Sequence, residues 1–238
     1  MTLLIASITP VIIFLYLIFK KDKNKEPIGL LAKCFFGGFI SIIIALIIAF
    51  SMTYIGTAFQ SPLLKSFYDA FFVAAIPEEF AKFIVLYWII WESNFFDEHY
   101  DGIIYAVFVS LGFALVENIL YVFAHGIGIA FVRAILAVPG HGLFAVAMGY
   151  FLSLAKFNKQ KDLQKYLVLS LVVPMGLHGT YNFLLMYSSN LSKADAGVTV
   201  ILLIIFTVFI IFLWRHGIKK IKILVAKDSI NSNITSLV

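Results

Sequence analysis

Carboxylates and imidazoles stand at intervals inside otherwise apolar runs of this sequence. IPEEFAKF supplies Glu78, Glu79 and Lys82, and GFALVENILY supplies Glu117 beside Asn118. PGHGLF supplies His141, and MGLHGTYN supplies His178 and Asn182. Such a set can run hydrolysis in two ways. A zinc ion held by Glu and His would polarise a carbonyl and activate water, with a second Glu as general base. Without a metal, a desolvated Glu would activate water while His and Asn stabilise the oxyanion. The H-E-x-x-H helix of soluble zinc proteases is absent, so a zinc site would be assembled across helices. Two other classes use the same residues: a proton-coupled transporter, with Glu and His as a relay, and a non-catalytic membrane scaffold.

The elements that position these groups lie in a membrane. Of 238 residues, 62% are hydrophobic and 13% charged, about half the charge of a soluble domain, with mean hydropathy +0.99. A water-soluble enzyme is excluded, and 25 Phe and 11 Tyr exclude a disordered chain. The composition predicts an all-α, polytopic bundle of about seven to eight membrane helices, long enough to cross a core of about 30 Å. Seven segments can be drawn: Leu3 to Phe19, Ile28 to Tyr54, Ser66 to Trp91, Gly102 to Ala124, Pro139 to Leu154, Tyr166 to Tyr187 and Gly197 to Trp214. HGIGIAFVRAILA, before the fifth, reads as an interfacial helix or an added turn. Residues 1–214 form one transmembrane domain, and 215–238 a short basic cytoplasmic tail, partly frayed. The single Cys34 excludes an internal disulfide.

The net charge of +5 would suggest nucleic acid in a soluble chain, but the basic residues flank apolar runs and read as topology signals. Lys20, Lys21, Lys23, Lys25, Lys156, Lys159, Lys161, Lys165, Arg215, Lys219, Lys220, Lys222 and Lys227 fall on one side, against Lys65, Arg133 and Lys193 on the other. The N-terminus is therefore expected outside and the C-terminus in the cytoplasm. At 1.5 Å per residue, Glu78 and Glu79 lie roughly 18–20 Å below the outer end of the third segment, Glu117 roughly 10 Å below that of the fourth, and His178 roughly 14 Å below that of the sixth. Each residue alone has a structural explanation: an ion pair, a hydrogen-bonded core histidine, an interhelical asparagine. Coincidence at one depth distinguishes the group.

Local spacing adds detail. Glu78 and Lys82, four apart, can pair, while Glu79 points about 100° away toward another partner. His178 and Asn182 share a face, as do Glu117, Tyr121 and His125, the last a possible further ligand. Pro77, Pro139 and Pro174 precede the polar residues, and each predicts a broken or kinked helix beside a wet pocket. On the opposite side, FDEHYDG is a second acidic cluster that solvation suffices to explain, with Asp101 capping the fourth segment.

The order EE-x-x-K, F-x-x-x-E-N, His, then H-x-x-x-N resembles the PrsW family of bacterial membrane-embedded proteases, in the CAAX-prenyl-protease-like superfamily, over nearly the whole chain. Glu78 and Glu79 match the first motif, Phe113 and Glu117 the second, His141 the third, and His178 with Asn182 the last. In the prenyl-protease branch the second motif ends in His where this sequence has Glu117. The resemblance implies a multi-pass protein of the bacterial cell membrane that cleaves a single-pass, membrane-anchored anti-sigma factor on its extracytoplasmic side, the first cut in regulated intramembrane proteolysis. Glu117, His141 and His178 are then expected as zinc ligands, with Glu78 or Glu79 activating water and Asn182 stabilising the oxyanion. Lys82, Asn118, Phe113 and Tyr121 support them.

Overall fold

The computed structural model describes residues 2–158 and 160–235, and these are all-α. α1 spans Thr2–Lys21 and α2 Ile28–Gly56, which starts directly after Pro27. The third rod is composite: α3 (Pro62–Tyr68), a π-helical stretch Asp69–Ala75 and α4 (Ile76–Ile90) follow one another without a break. Next come α5 (Asp101–His125), α6 (Ile127–Ile135), α7 (Ala137–Phe157), α8 (Leu163–Asn190) and α9 (Ala196–Thr235). Among the described residues, counting α3 to α4 and α6 to α7 as one rod each gives seven.

Six rods are long and apolar enough to cross a membrane. The exception is the composite rod, whose longest α-helical piece, α4, has 15 residues and carries Glu78, Glu79 and Lys82. Its π-helical stretch has a local cause. Pro77 has no N–H to donate back to Val73, and its ring crowds that carbonyl; a wider turn, with Ile76 N–H donating to Phe71 O, relieves both. Pro139 sits in the first turn of α7, where a missing N–H costs nothing, and Pro174 lies inside α8.

α5 is the axis of the bundle. Of its apolar window 72% is buried, against 17% for α1 and for α9, whose flanks present Ile5, Ile12, Ile204 and Val208 outward. Missing side chains let α5 sit so deep. A Cβ on Gly112 would fall 1.9 Å from Phe35 O of α2, and one on Gly149 of α7 would fall 2.2 Å from Gly102 O of α5. Close backbone approach through small residues is how helices pack where lipid offers no hydrophobic drive. Val107, Val109, Leu111, Leu86 and Ile90 fill the core around it.

One open choice is decided and two sequence expectations change. Within HGIGIAFVRAILA, read as an interfacial helix or an added turn, Ile127–Ile135 form a separate helix, α6, hinged at Gly126 (φ 82°) and at Leu136. The stretch after Trp214 is not frayed over the described residues: α9 continues through it, burying Leu224 in the core. Asp101 does not cap α5. It is fully buried, and its Oδ2 accepts the amides of Asp97 and Glu98, at 3.0 and 2.6 Å, in the turn before the helix. The amides of His99 and Tyr100 are instead taken by Asp228 of α9, at 2.9 and 2.8 Å. A partner so distant in sequence leaves no local signature.

Candidate active site

The start of α4 follows the π-helical stretch directly, and its glutamates and Lys82 meet residues of α5, α7 and α8. Lys82 is 1% exposed, and its ammonium reaches three acceptors: Glu79 Oε1 at 2.8 Å, His141 Nδ1 at 3.2 Å and Glu78 Oε2 at 3.3 Å. It also lies 4.0 Å from the centre of the Phe113 ring. An ammonium has three N–H donors, so all are used. The neighbouring glutamates therefore converge on one lysine, and the pair to Glu79, three residues apart, is shorter than the pair to Glu78.

Donor logic fixes the imidazoles. Lys82 can only donate, so His141 accepts at Nδ1 and carries its proton on Nε2, which donates to Glu117 Oε2 at 2.9 Å. His178 donates from Nδ1 to Glu79 Oε1 at 2.9 Å and accepts at Nε2 from the Asn182 amide at 3.1 Å. Phe144 stacks on the His178 ring at 4.8 Å, and Ser110 Oγ donates to His141 O at 3.0 Å, holding the start of α7 against α5.

One member of the site was read only as a topology signal. Arg133 of α6 turns inward, donating from Nη2 to Glu117 Oε2 at 2.7 Å and from Nε to Asn118 Oδ1 at 2.8 Å. It lies 4.3 Å over the Tyr121 ring. Asn118 in turn donates to Ser7 O of α1 at 2.8 Å. The signal was present: an arginine inside AFVRAIL is as anomalous as a glutamate inside LVENIL. His125 is not brought in. It is exposed, contacts Tyr121 O and lines neither cavity at the site.

Two cavities meet here. One, of about 220 Å³, lies beneath α6 and is lined by Arg133, His141, His178 and Asn182. The other, of about 400 Å³, opens between α2 and α5 beside Leu46, Phe50 and Leu120, side chains that are themselves exposed on the outer surface of the bundle. Glu78, Glu117 and Tyr121 line both, whereas Glu79 lines neither.

Glu78, Glu79, His141 and His178 each offer a donor atom within 4.8 Å of the others, so the cluster could bind a metal. The fit has a second mark: Glu79 Oε2 is buried with no hydrogen-bond partner, a costly state for a carboxylate unless a cation faces it. Two carboxylates and two imidazoles suit a borderline ion.

The comparisons with known proteins agree with this arrangement. The profile of the PrsW family intramembrane metalloproteases matches residues 26–213. Protease PrsW of Oceanobacillus iheyensis is 37% identical over 93% of this chain and 95% of its own length. Protease PrsW of Bacillus subtilis is 37% identical over 91% and 93%, and that of Clostridioides difficile 34% over 92% and 90%. No solved structure matches.

Proposed function

Because this chain belongs to the PrsW family of intramembrane metalloproteases, and is thus a multi-pass membrane protease, we propose that it makes the first, extracytoplasmic cut in a single-pass anti-sigma factor. The observation that carries the reading is the gathering of Glu78, Glu79, His141 and His178 in one cluster, with Glu78 lining both cavities. Depth supports the side. Glu117 is eight residues from the end of α5, about 12 Å, and that end lies away from the lysine-rich links. The positive-inside rule puts those links in the cytoplasm, the N-terminus outside and the site in the outer half of the bilayer.

In this reading His141 Nδ1, His178 Nδ1 and Glu79 would hold a zinc ion once the Lys82 ammonium withdraws from His141 Nδ1, and the ion would supply Lewis-acid polarisation of the scissile carbonyl. Two imidazoles and one carboxylate are a known catalytic zinc set. His178 must then release its Nδ1 proton and carry one on Nε2. Asn182 accommodates the change: a flip of its amide accepts Nε2–H through Oδ1 and turns both N–H donors toward the cavity, where an oxyanion would form. Glu117, first expected as a ligand, is engaged by Arg133 and by His141 Nε2–H. We assign it to orienting His141, as carboxylates behind metal-ligating histidines commonly do. Glu78 faces both cavities and is the general base, taking a proton from the attacking water and returning it to the leaving amine. Lys82 pairs with both carboxylates, Glu78 and Glu79. The groove between α2 and α5 admits an unwound stretch of a membrane-anchored substrate.

Co-expression with tagged single-pass anti-sigma factors tests the reading. A shortened extracytoplasmic fragment should appear with the unaltered protease and be missing with Glu78→Gln. Equal fragment in both would remove Glu78 from the chemistry. Cleavage confined to other membrane proteins would remove the substrate class.

A further inference from the structure

A second polar cluster is buried at the other end of α5, and its charge is not balanced. Glu26, in the link between α1 and α2, is 7% exposed; Asp101, the first residue of α5, is wholly buried; Asp97, in the turn before it, is exposed. Each offers a carboxylate oxygen within 4.8 Å of the others. The ion pairs among the described residues reach none of the three. Lys25, next in sequence to Glu26, and Lys156, over the Phe96 ring, are turned to backbone carbonyls: Phe19 and Asp22 for Lys25, Trp91 for Lys156.

The cluster is also unfinished at one atom. Asp101 Oδ2 accepts the amides of Asp97 and Glu98, but Asp101 Oδ1 is buried without any hydrogen-bond partner. Tyr105 OH donates to Glu26 Oε2, so the phenol is committed to one oxygen of the facing carboxylate. Asp101 is wholly buried and Glu26 nearly so, and solvation by itself does not account for them. Two buried carboxyls facing each other must either share a proton or hold a cation between them.

We propose that Glu26, Asp97 and Asp101 bind one hard divalent cation, of the Mg²⁺, Mn²⁺ or Ca²⁺ class, which locks the α1–α2 link to the start of α5. The donor set is oxygen only, which selects such ions over zinc. Ca²⁺ holds oxygens at 2.3–2.6 Å, so two ligands of one ion can be as far apart as this cluster's limit. A smaller ion is reached by an inward swing of the exposed Asp97, with water in the remaining positions. The site is structural, remote from the Glu/His cluster, and independent of the protease reading.

The full-length protein in detergent, stripped with EDTA, is titrated with Mn²⁺ followed by electron paramagnetic resonance, and its thermal unfolding is measured with Mg²⁺ or Ca²⁺ added. One Mn²⁺ equivalent should bind, be displaced by excess Mg²⁺ or Ca²⁺, and persist when Glu78→Gln and His178→Ala are combined. At about 100-fold saturation the midpoint should rise by roughly 5 °C or more. Asp101→Asn should abolish binding. Should that variant fail to fold, Asp97→Asn, at an exposed position, decides alone by weakening Mn²⁺ at least about tenfold. Absence of Mn²⁺ binding, binding indifferent to Asp97→Asn, or binding lost with the Glu/His substitutions would each overturn the proposal.

Discussion

Both ends of α5 bury carboxylates, and they solve the problem in opposite ways. Toward its C-terminal end, Glu78, Glu79 and Glu117 are met by Lys82 and Arg133, so each negative charge has a cation within 3.3 Å. Toward its N-terminal end, Glu26 and Asp101 are met by amides and a phenol. There, burial pushes the Asp22, Glu26 and Glu98 carboxyls up from their usual range. A cluster that carries its own cations has its buried charge met by the fold itself. One that lacks them waits for a proton or a metal ion. Burial alone does not mark a catalytic carboxylate; the accompanying cation and the cavity do.

Substitutions can break this contrast at several strengths. Glu78→Gln should cut the cleavage rate by about 10³-fold, within the span expected for losing a general acid–base, while purified protein keeps its helical circular dichroism. A zinc-selective chelator should inhibit to a similar degree and added zinc should restore activity, whereas a Ca²⁺-selective chelator should leave the Glu/His chemistry in place. Inhibition by both to the same extent would erase the distinction between the two ends.

Lys82→Met removes the cation that both glutamates share and should destabilise the fold by about 3–5 kcal/mol, the cost of leaving buried charge unpaired. Replacing Glu79 by Gln in the same chain should recover part of the loss in a thermal melt. No recovery would mean that Lys82 matters chiefly through its stem and its contact with Phe113.

The helices were legible from composition and hydropathy because a bilayer enforces long apolar runs. The cluster was legible because an ionisable residue in such a run has few bland explanations: Glu78, Glu79, Lys82, His141 and His178 do meet. What escaped reading depends on contacts between distant segments. Nothing near Arg133 says that α6 folds back so that its guanidinium reaches Glu117, sixteen positions earlier. Nothing near Asp101 says that Asp228 will take the adjacent amides, since that pairing exists only once α9 has packed. Position along a helix is periodic and can be read; the rotation of one helix against another is set by packing of the whole bundle.

Arg133→Ala should therefore slow cleavage by about 10- to 100-fold, as loss of a group behind a metal-ligating histidine does, and Arg133→Lys should restore only part of it because lysine lacks the fork that spans Glu117 and Asn118. The smallest effect is expected at Asp228→Ala. Two amides and the His99 ring lose their acceptor, costing about 1–3 kcal/mol in stability, while activity per folded molecule stays unchanged. A matching loss of specific activity would mean that the two ends of α5 are coupled.

The reach of Asp228 back to His99 and Tyr100 also orders events during synthesis. The axial helix and the whole Glu/His cluster leave the ribosome well before residue 228, yet the turn that starts α5 lacks the Asp228 acceptor for those amides until α9 is nearly complete. A nascent chain can thus hold every residue of its Glu/His cluster while the base of its central helix still lacks that acceptor. Packing of the last helix supplies it.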